Sequence, residues 1–334
     1  MTATHPEPLL AINNLEVSFR TEEGTVTPVR GVTLSVNAGE TLALVGESGS
    51  GKSVTSLAVM GLLPRPAGRI SGGSILFRRR AGGAIDLAQA SASEVRRLRG
   101  AEIAMIFQEP MTSLNPVLTV GEQIAESVRL HRGLGQGDAM RRAREMLDLV
   151  EIPDAGRRVH DYPHQMSGGM RQRVMIALAM ACDPALLIAD EPTTALDVTI
   201  QAQILALIER LRREMGMGVL FITHNLGVVA EVADRVAVMY AGEVVESAPV
   251  RPLFHAPRHP YTRALLDCLP ARAARGADGR RVVRSIPGTV SRVAEGCGFA
   301  PRCEFVRDSC RVGAIPLESE PDRVVRCLRW REIA

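Results

Sequence analysis

The chain has 334 residues, of which 46% are hydrophobic, 23% are charged and only 3% are aromatic, and its formal net charge is +3. This hydrophobic fraction excludes wholesale disorder, and a small net charge with so few aromatic side chains argues against a nucleic-acid-binding protein. The length predicts one large domain and a smaller one.

Neither a membrane span nor a signal peptide is predicted. The longest apolar run lies near Val174–Cys182 and is far too short to cross a bilayer. The first ten residues lack a basic segment followed by an apolar one. We therefore expect a chain that stays in the cytosol, where it can still be peripheral to a membrane.

The first hundred residues begin with β structure. Short apolar-polar runs broken by Gly or Asn predict strands at Leu9–Phe19, Val26–Val36 and Glu40–Val45. A glycine-rich turn and a helix at Lys52–Leu63 follow, and Pro64 closes the helix. The next predicted elements are a loop at Arg78–Gly83, a short helix at Ser93–Arg99 and a strand at Ala101–Gln108.

The middle of the chain is rich in helices from about residue 110 to 180, with predicted helices at Val120–His131, Ala139–Val150 and Met170–Cys182. Apolar strands then return and are separated by a long helix, Thr199–Met215. The strands are Leu186–Ala189, Val219–Thr223 and Arg235–Tyr240. This alternation predicts an α/β fold with a parallel sheet and helical crossovers.

Gly46–Ser53 reads Gly-Glu-Ser-Gly-Ser-Gly-Lys-Ser and fits the phosphate-loop pattern G-x-x-x-x-G-K-[ST] between a predicted strand and a predicted helix. Glycines let such a loop wrap around phosphate oxygens, and the helix N-terminus adds partial positive charge. We expect Lys52 to reach the β- and γ-phosphates and Ser53 to bind Mg²⁺. The predicted nucleotide contacts in this segment are Gly46, Glu47, Ser48, Gly49, Ser50, Gly51, Lys52, Ser53 and Val54.

Lys52 is the only lysine among the 40 basic residues of the chain. Arginine serves wherever positive charge alone is needed, so the remaining lysine indicates a site that needs a compact ammonium rather than a planar guanidinium.

The strand pattern at Leu186–Ala189 ends in two carboxylates, Asp190 and Glu191. A carboxylate at the C-terminal edge of a parallel strand faces the ligand crevice. We expect Asp190 to hold Mg²⁺, directly or through water, and Glu191 to polarise an attacking water.

A second glycine signature, Ser167–Gln172, precedes an apolar helix. Serine is a good N-cap, and Gly168 and Gly169 permit close approach by an anion. Because one nucleotide does not need two phosphate cradles, this segment is predicted to serve a nucleotide held by a second subunit. A plain capped helix is the alternative.

Together these motifs resemble those of the ATP-binding subunit of an ABC transporter, over about residues 8–250. Gln108 matches the Q-loop glutamine, Asp197 the D-loop aspartate and His224 the switch histidine. The resemblance implies a P-loop NTPase of ABC type, with a parallel-sheet core, an antiparallel β subdomain and a helical subdomain at about residues 110–180.

The family resemblance also implies a head-to-tail dimer that traps ATP at its interface. Ser167, Gly168 and Gly169 would face the γ-phosphate bound by the opposite subunit, and Phe19 would stack on the adenine. Gln108 would sense the γ-phosphate, help to bind Mg²⁺ and connect to the membrane partner. The expected catalytic residues are Glu191, His224, Lys52 and Gln108.

Two C-terminal segments, His259–Leu265 and Gly298–Cys303, resemble the branch of the family that imports oligopeptides, dipeptides and nickel. This branch implies a C-terminal domain at 251–334, two integral membrane permease subunits, an extracytoplasmic substrate-binding protein and a second, different ATPase subunit. The chain would lie peripherally on the cytoplasmic face of the inner membrane and hydrolyse ATP to power peptide import.

Import of nickel or another small solute is the alternative function within the branch. A soluble ABC ATPase acting on nucleic acid or ribosomes would need a coiled-coil, a DNA-binding module or a second ATPase domain, and the sequence shows none. A regulator that binds ATP without hydrolysis is disfavoured by Glu191 and His224.

Four cysteines close together in a Pro-rich, cytosolic segment predict a metal site rather than disulfides. They are Cys297, Cys303, Cys310 and Cys327, and four arginines that would offset thiolate charge flank them: Arg302, Arg307, Arg311 and Arg326. The branch resemblance implies a 4Fe-4S iron–sulfur cluster, while zinc and free buried thiols remain alternatives. Cys182 and Cys268 are predicted to be packing residues.

Overall fold

A computed structural model describes residues 7–108, 113–194, 196–272, 274–275, 281–282, 284–290, 293 and 295–333. The chain divides into two compact units. The first comprises Met1–Leu10, Val36–Glu40 and Leu76–Phe221, and the second comprises Ala11–Ser35, Thr41–Ile75 and Ile222–Ala334. Across the described ranges, no helix combines the length and the apolar character that a membrane span requires.

The described strands are, in chain order, β1 (Leu10–Thr21), β2 (Gly24–Val36), β3 (Thr41–Val45), β4 (Gly68–Arg78), β5 (Ala84–Asp86), β6 (Ile103–Ile106), β7 (Leu186–Asp190), β8 (Gly218–Thr223), β9 (Arg235–Tyr240), β10 (Glu243–Pro249), β11 (Ala274–Arg275), β12 (Arg281–Val282), β13 (Glu318–Glu320) and β14 (Arg323–Val325). The described helices are α1 (Lys52–Val59), α2 (Ala92–Leu98), α3 (Val120–Arg132), α4 (Gln136–Leu149), α5 (Ala155–Arg158), α6 (Gly168–Met180), α7 (Val198–Met215), α8 (Leu226–Val232), α9 (Val250–His255) and α10 (Pro260–Asp267).

The first unit contains the parallel strands β6 and β7 and a group of helices. β6 pairs in parallel with β7, from Ile103 opposite Leu186 to Ile106 opposite Ala189. The residues of β7 are all buried, as expected for parallel strands that are covered on both faces. The last residues of β4 pair antiparallel with β5 in the same unit.

Helix α3 shows how the sequence sets the ends of the helices in the first unit. Its N-terminus is a capping box, in which Thr119 Oγ1 accepts from the Glu122 N–H and the Glu122 carboxylate accepts from the Thr119 N–H. It ends at Gly133, whose φ of +65° suits glycine. α3 packs against α4 and α6, and the three form the helix-rich region that the sequence predicts.

The second unit is organised around the sheet order β13-β14-β10-β9-β3. β3 runs parallel to β9, with Leu42 opposite Arg235 and Val45 opposite Val238. β10 returns antiparallel to β9, and β14 pairs antiparallel with β10. A second sheet in this unit has the order β2-β1-β4.

Residues after 250 share a hydrophobic core with the central strands of the second unit. Tyr261 and Phe299 pack in one buried cluster with Val45, Val238 and Tyr240. The C-terminal segment therefore packs against β3 and β9. The predicted domain boundary at residue 250 stays a prediction.

Most predicted elements are present with ends shifted by a few residues. The elements that the sequence analysis does not predict include β4 and β10. Glycines within β4 conceal its strand pattern, and Gly73 has φ +82°, where a Cβ would lie 2.3 Å from the Asn14 carbonyl oxygen. The predicted helix Lys52–Leu63 is too long, because Gly61 adopts φ +60° and α1 ends at Val59.

Candidate functional site

The phosphate loop connects β3 to α1 and requires glycine at two of its positions. A Cβ on Gly46, at φ +154°, would lie 2.2 Å from the Met239 carbonyl oxygen. A Cβ on Gly51, at φ +104°, would lie 2.5 Å from the Pro28 carbonyl oxygen. Gly49 has φ +77° but faces open space. The loop is thus held close to neighbouring backbone at its two ends and is open at its tip.

Lys52 is buried at the first position of α1 and is directed back over the loop. Its Nζ donates to the carbonyl oxygens of Gly46 (2.7 Å) and Glu47 (3.0 Å) and lies 3.5 Å from Ser50 Oγ. Gly51 precedes α1 and has no side chain that could cap its first N–H groups. An ammonium and a helix N-terminus therefore meet at the loop, as a phosphate-binding site requires.

Of the remaining predicted phosphate-loop contacts, Ser48 and Ser53 are exposed, Val54 is half-buried and Ser50 is buried. The exposed hydroxyl of Ser53 stands in the first turn of α1, which is where a Mg²⁺ ligand is expected.

Two side chains from the C-terminal segment contact the phosphate loop at Glu47, and the sequence did not reveal them. Tyr261 Oη accepts a hydrogen bond from the Glu47 N–H (2.9 Å), and Arg302 Nη1 forms an ion pair with the Glu47 carboxylate (3.1 Å). Burial raises the pKa of Tyr261, which keeps its hydroxyl neutral. The signal that could have identified them is Glu47 itself, an acid in an anion-binding loop that needs a positive partner.

Asp190 and Glu191 occupy the end of β7 in the first unit. Asp190 is buried, and Glu191 has a left-handed backbone with φ +48°. A non-glycine residue in this region costs about 1–3 kcal/mol and is typical of functional sites. The Glu191 Oε2 accepts from Gln108 Nε2 (3.1 Å) and from Thr194 Oγ1 (2.9 Å). The structure thus brings Gln108 and Glu191 together, and it adds Thr194, which the motif analysis missed.

The Ser167–Gln172 signature forms the start of α6. Ser167 caps the helix by accepting from the Met170 N–H (3.3 Å), and both Ser167 and Gly168 are exposed. Gln172 is buried and donates to the carbonyl oxygen of Pro192, directly after Glu191. The signature helix is therefore tied to the acidic strand end while its glycine edge faces outward.

Three other predicted residues have clear places in the fold. Asp197 caps α7 by accepting from the Ile200 N–H (2.9 Å), and Ala195, before it, lies outside the described residues. His224 is exposed directly after β8. Phe19 is half-buried, and its ring lies so near Gly68 that a Cβ there would approach it to 2.7 Å.

The four C-terminal cysteines line one small apolar cavity. The cavity walls include Cys297, Cys303, Cys310, Cys327, His259, Phe299, Phe305 and Ile315. Burial, reinforced by the neighbouring thiols, raises the pKa of Cys297 to about 11 and also raises those of Cys303 and Cys327. A set of thiolates here therefore needs a cation to offset its charge.

His259 is a further polar group of this cavity. Its Nδ1 accepts from the Tyr261 N–H (3.1 Å), so the neutral ring carries its proton on Nε2. Burial lowers the pKa of His259 to about 3. The backbone of Arg326 acts on this pKa in the opposite direction to burial, and Nε2 has no hydrogen-bond partner of normal geometry in the described part of the chain. Among the same residues, no three or more His, Cys, Asp or Glu side chains are grouped closely enough to hold a metal ion.

The other two cysteines differ in their surroundings. Cys182 is buried, with its Sγ 4.0 Å from Ser127 Oγ, and burial raises its pKa. Cys268 is half-buried near the end of α10.

Two family models match the chain. The ABC transporter model matches residues 29–194, and the model of the oligopeptide/dipeptide transporter C-terminal region matches residues 245–310. A putative peptide import ATP-binding protein of Brucella melitensis is 54% identical over 334 residues, which cover 98% of this chain and 99% of the relative.

Other similar proteins match a smaller part. The glutathione import ATP-binding protein GsiA of Escherichia coli O157:H7 is 60% identical over 266 residues, which cover 80% of this chain and 43% of that protein. The dimeric post-hydrolysis structure of the ATP-binding cassette MJ0796, bound to ADP and Pi, matches with a TM-score of 0.62 and 29% identity, covering 72% of this chain and 99% of that one.

Proposed function

Because the chain belongs to the ABC transporter family and is an ATPase, we propose that it powers the import of peptides across a membrane through a binding-protein-dependent transporter. The observation that carries this proposal is the likeness beyond the ATP-binding part. The C-terminal region matches the oligopeptide/dipeptide transporter model, and a relative named for peptide import is similar over almost its whole length.

ATP binding is assigned first to the phosphate loop. Its backbone and Lys52 would hold the β- and γ-phosphates, and Phe19 would contact the adenine. Mg²⁺ would be held by Ser53, Asp190 and Gln108, with the phosphates and water completing its coordination, because Mg²⁺ normally takes few protein ligands. The buried ammonium and the exposed hydroxyl of Ser53 support these roles.

Hydrolysis is assigned to Glu191 as the group that polarises the attacking water. Gln108 and Thr194 donate to its carboxylate and so restrict its rotation. We assign His224 to the γ-phosphate, and Ser167, Gly168, Gly169 and Asp197 to the interface with a second ATPase subunit. The outward-facing Ser167 and Gly168 support an intermolecular role.

The transporter would contain two integral membrane permease subunits, an extracytoplasmic substrate-binding protein and a second, different ATPase subunit. The names of the importer relatives support membrane partners, and the dimeric structure of MJ0796 supports pairing of ATPase subunits. This chain would lie peripherally on the cytoplasmic face of the inner membrane.

The four-cysteine cavity is assigned to an iron–sulfur cluster. Four thiols form the donor set that such clusters take, and the buried Nε2–H of His259 suits a sulfur-rich, negatively charged group. Zinc held by the same four thiols is the alternative. When bound, the cluster would supply a redox-active or structural centre that is held by Cys297, Cys303, Cys310 and Cys327.

Uptake of labelled di- and oligopeptides tests the transport proposal. Deleting the gene should abolish uptake, wild-type protein should restore it, and Glu191→Gln should fail to restore it while still binding ATP, since the variant lacks the base. Uptake of nickel instead of peptide would establish the alternative cargo, and restoration by Glu191→Gln would remove Glu191 from its role.

Anaerobic purification with iron, sulfide and zinc analysis tests the cysteine site. The proposal expects a brown protein with about four iron atoms per chain and loss of that iron in Cys303→Ser. Stoichiometric zinc, or protein free of metal, would overturn it.

A further inference from the structure

Glu47 poses an electrostatic problem at the phosphate loop. It is the second residue of the loop, and 27% of its side chain is exposed. The phosphates of ATP are strongly negative, so an uncompensated carboxylate at this position would repel them. The loop therefore needs a group that neutralises Glu47 without blocking the nucleotide.

Arg302 is placed to do this. Its side chain is only 5% exposed, and its Nη1 lies 3.1 Å from both oxygens of the Glu47 carboxylate. Its Nη1 also donates to Tyr240 Oη of β9 (3.3 Å). Within the C-terminal segment, its Nε donates to the Pro287 carbonyl (2.8 Å) and its Nη2 to the Ile286 carbonyl (3.3 Å). Arg302 is thus anchored on one side and presents its charge to Glu47 on the other.

Tyr261 fixes the backbone at the same residue. Its hydroxyl accepts from the Glu47 N–H, and its ring packs edge-on against Tyr240 and obliquely against Phe299. The guanidinium of Arg302 lies over the rings of Tyr240 and Phe299 as well. Both contacts to Glu47 therefore come from one rigid aromatic cluster.

We propose that Arg302 is a positioning residue for the phosphate loop, which neutralises Glu47 and holds its carboxylate against the C-terminal segment so that the loop accepts the phosphates of ATP. This inference rests on the proposed function in that it assumes ATP binding at the loop. Arg302 also precedes Cys303 of the cysteine-lined cavity, so the C-terminal segment acts on the ATP site through a residue beside its own candidate cofactor site.

Calorimetric titration of the full-length chain with Mg-ATP tests the proposal. Arg302→Gln should weaken ATP binding roughly tenfold, because the Glu47 charge is no longer offset. Adding Glu47→Gln to that variant should restore the affinity to within about threefold of wild type, because the repelling carboxylate is gone. Glu47→Gln alone should bind ATP more tightly than wild type.

The double substitution separates electrostatic positioning from a merely structural role. A merely structural Arg302 would leave the double variant as weak as Arg302→Gln, and that result would overturn the proposal. So would a Glu47→Gln variant that binds no more tightly than wild type. The loss in Arg302→Gln should also appear mainly in the KM for ATP rather than in kcat.

Arg263→Gln is the matched control, because Arg263 donates to the Ile333 carbonyl and lies over the Phe305 ring in the same segment. Its ATP affinity should stay within about twofold of wild type. Arg302→Lys keeps the positive charge, so its ATP affinity can still be measured if the glutamine variant does not fold. A folded lysine variant that binds ATP tenfold more weakly than wild type would contradict the proposal that Arg302 neutralises Glu47. Wild-type protein that does not bind ATP would instead refute the proposed function.

Discussion

The phosphate loop and the C-terminal segment that contacts it differ in how they are formed: the loop is a local backbone turn, whereas the segment reaches it through side chains that are distant in sequence. The loop is formed by eight consecutive residues, and Gly46 and Gly51 permit its close approaches to neighbouring backbone. The C-terminal contacts are side chains that reach Glu47 from 214 and 255 residues away. Local backbone chemistry leaves a motif in the sequence, whereas long-range side-chain pairing does not.

The substitution with the largest expected effect removes a buried ion pair of the C-terminal segment. Glu246 is fully buried and accepts from Arg323 Nη1 (3.0 Å) and from the N–H groups of Arg258 and His259. Burial raises the pKa of Glu246, so its charge depends on these partners. Arg323→Ala should lower the free energy of unfolding, measured in urea, by about 3–5 kcal/mol, because the buried Glu246 carboxylate then has no positively charged partner at this position.

The exposed pair between Arg331 and Glu318 provides the control for Arg323. Arg331→Ala should change the free energy of unfolding by less than about 0.5 kcal/mol, because exposed ion pairs contribute little. Equal effects at the two arginines would show that burial does not distinguish them.

The next prediction tests the loop through its lysine. Lys52→Arg should reduce the rate of ATP hydrolysis by about 10²–10³-fold, the cost typical of removing one preorganised charge donor. The substitution replaces a compact ammonium, which donates to the Gly46 and Glu47 carbonyls, with a broader planar guanidinium. Near-normal hydrolysis would show that the site does not require a lysine.

A third prediction compares two glycines of the loop. Gly51→Ala should destabilise the chain by about 1–3 kcal/mol, because it combines a left-handed backbone with a contact to the Pro28 carbonyl. Gly49→Ala has the strain without the contact and should cost about 1 kcal/mol. Thermal unfolding measures both, and a larger loss at Gly49 would contradict the described packing.

The substitution with the smallest expected effect, Tyr261→Phe, removes only the hydroxyl oxygen. Tyr261→Phe leaves the Glu47 N–H without its acceptor and keeps the aromatic packing. The expected loss in ATP affinity corresponds to about 0.5–1.5 kcal/mol, the net value of one hydrogen bond. An unchanged affinity would show that the Tyr261 hydroxyl does not contribute to ATP binding.

The sequence predicts those parts of the molecule that depend on local rules. Strand alternation, the helix at Val120–His131 and the glycine turn at Gly46–Ser53 all depend on rules that act within a few residues, and the structure has them where expected. The contact between Gln108 and Glu191 also follows in outline, because neighbouring parallel strands β6 and β7 end at the same edge.

The parts that the sequence does not predict depend on tertiary contacts. Thr194 orients Glu191 by donating a hydrogen bond to its carboxylate, and no sequence motif predicts the turn that brings the two residues together. The glycines of β4 interrupt its apolar strand pattern, and they are needed because β4 packs closely on β1. β10 is recognisable only from its pairing with β9 and β14. Arg302 is one of 39 arginines in the chain, and its neighbouring residues in the sequence do not indicate that it pairs with Glu47.

The separation of Glu47 and Arg302 along the chain also orders events during synthesis. A ribosome adds about 5–20 residues per second, so Arg302 emerges roughly ten to fifty seconds after Glu47, 255 residues earlier. During that interval the nascent loop carries an acid without its counter-charge. If Arg302 neutralises Glu47 as proposed, the loop should bind ATP about tenfold more weakly until Arg302 has been translated and has reached Glu47.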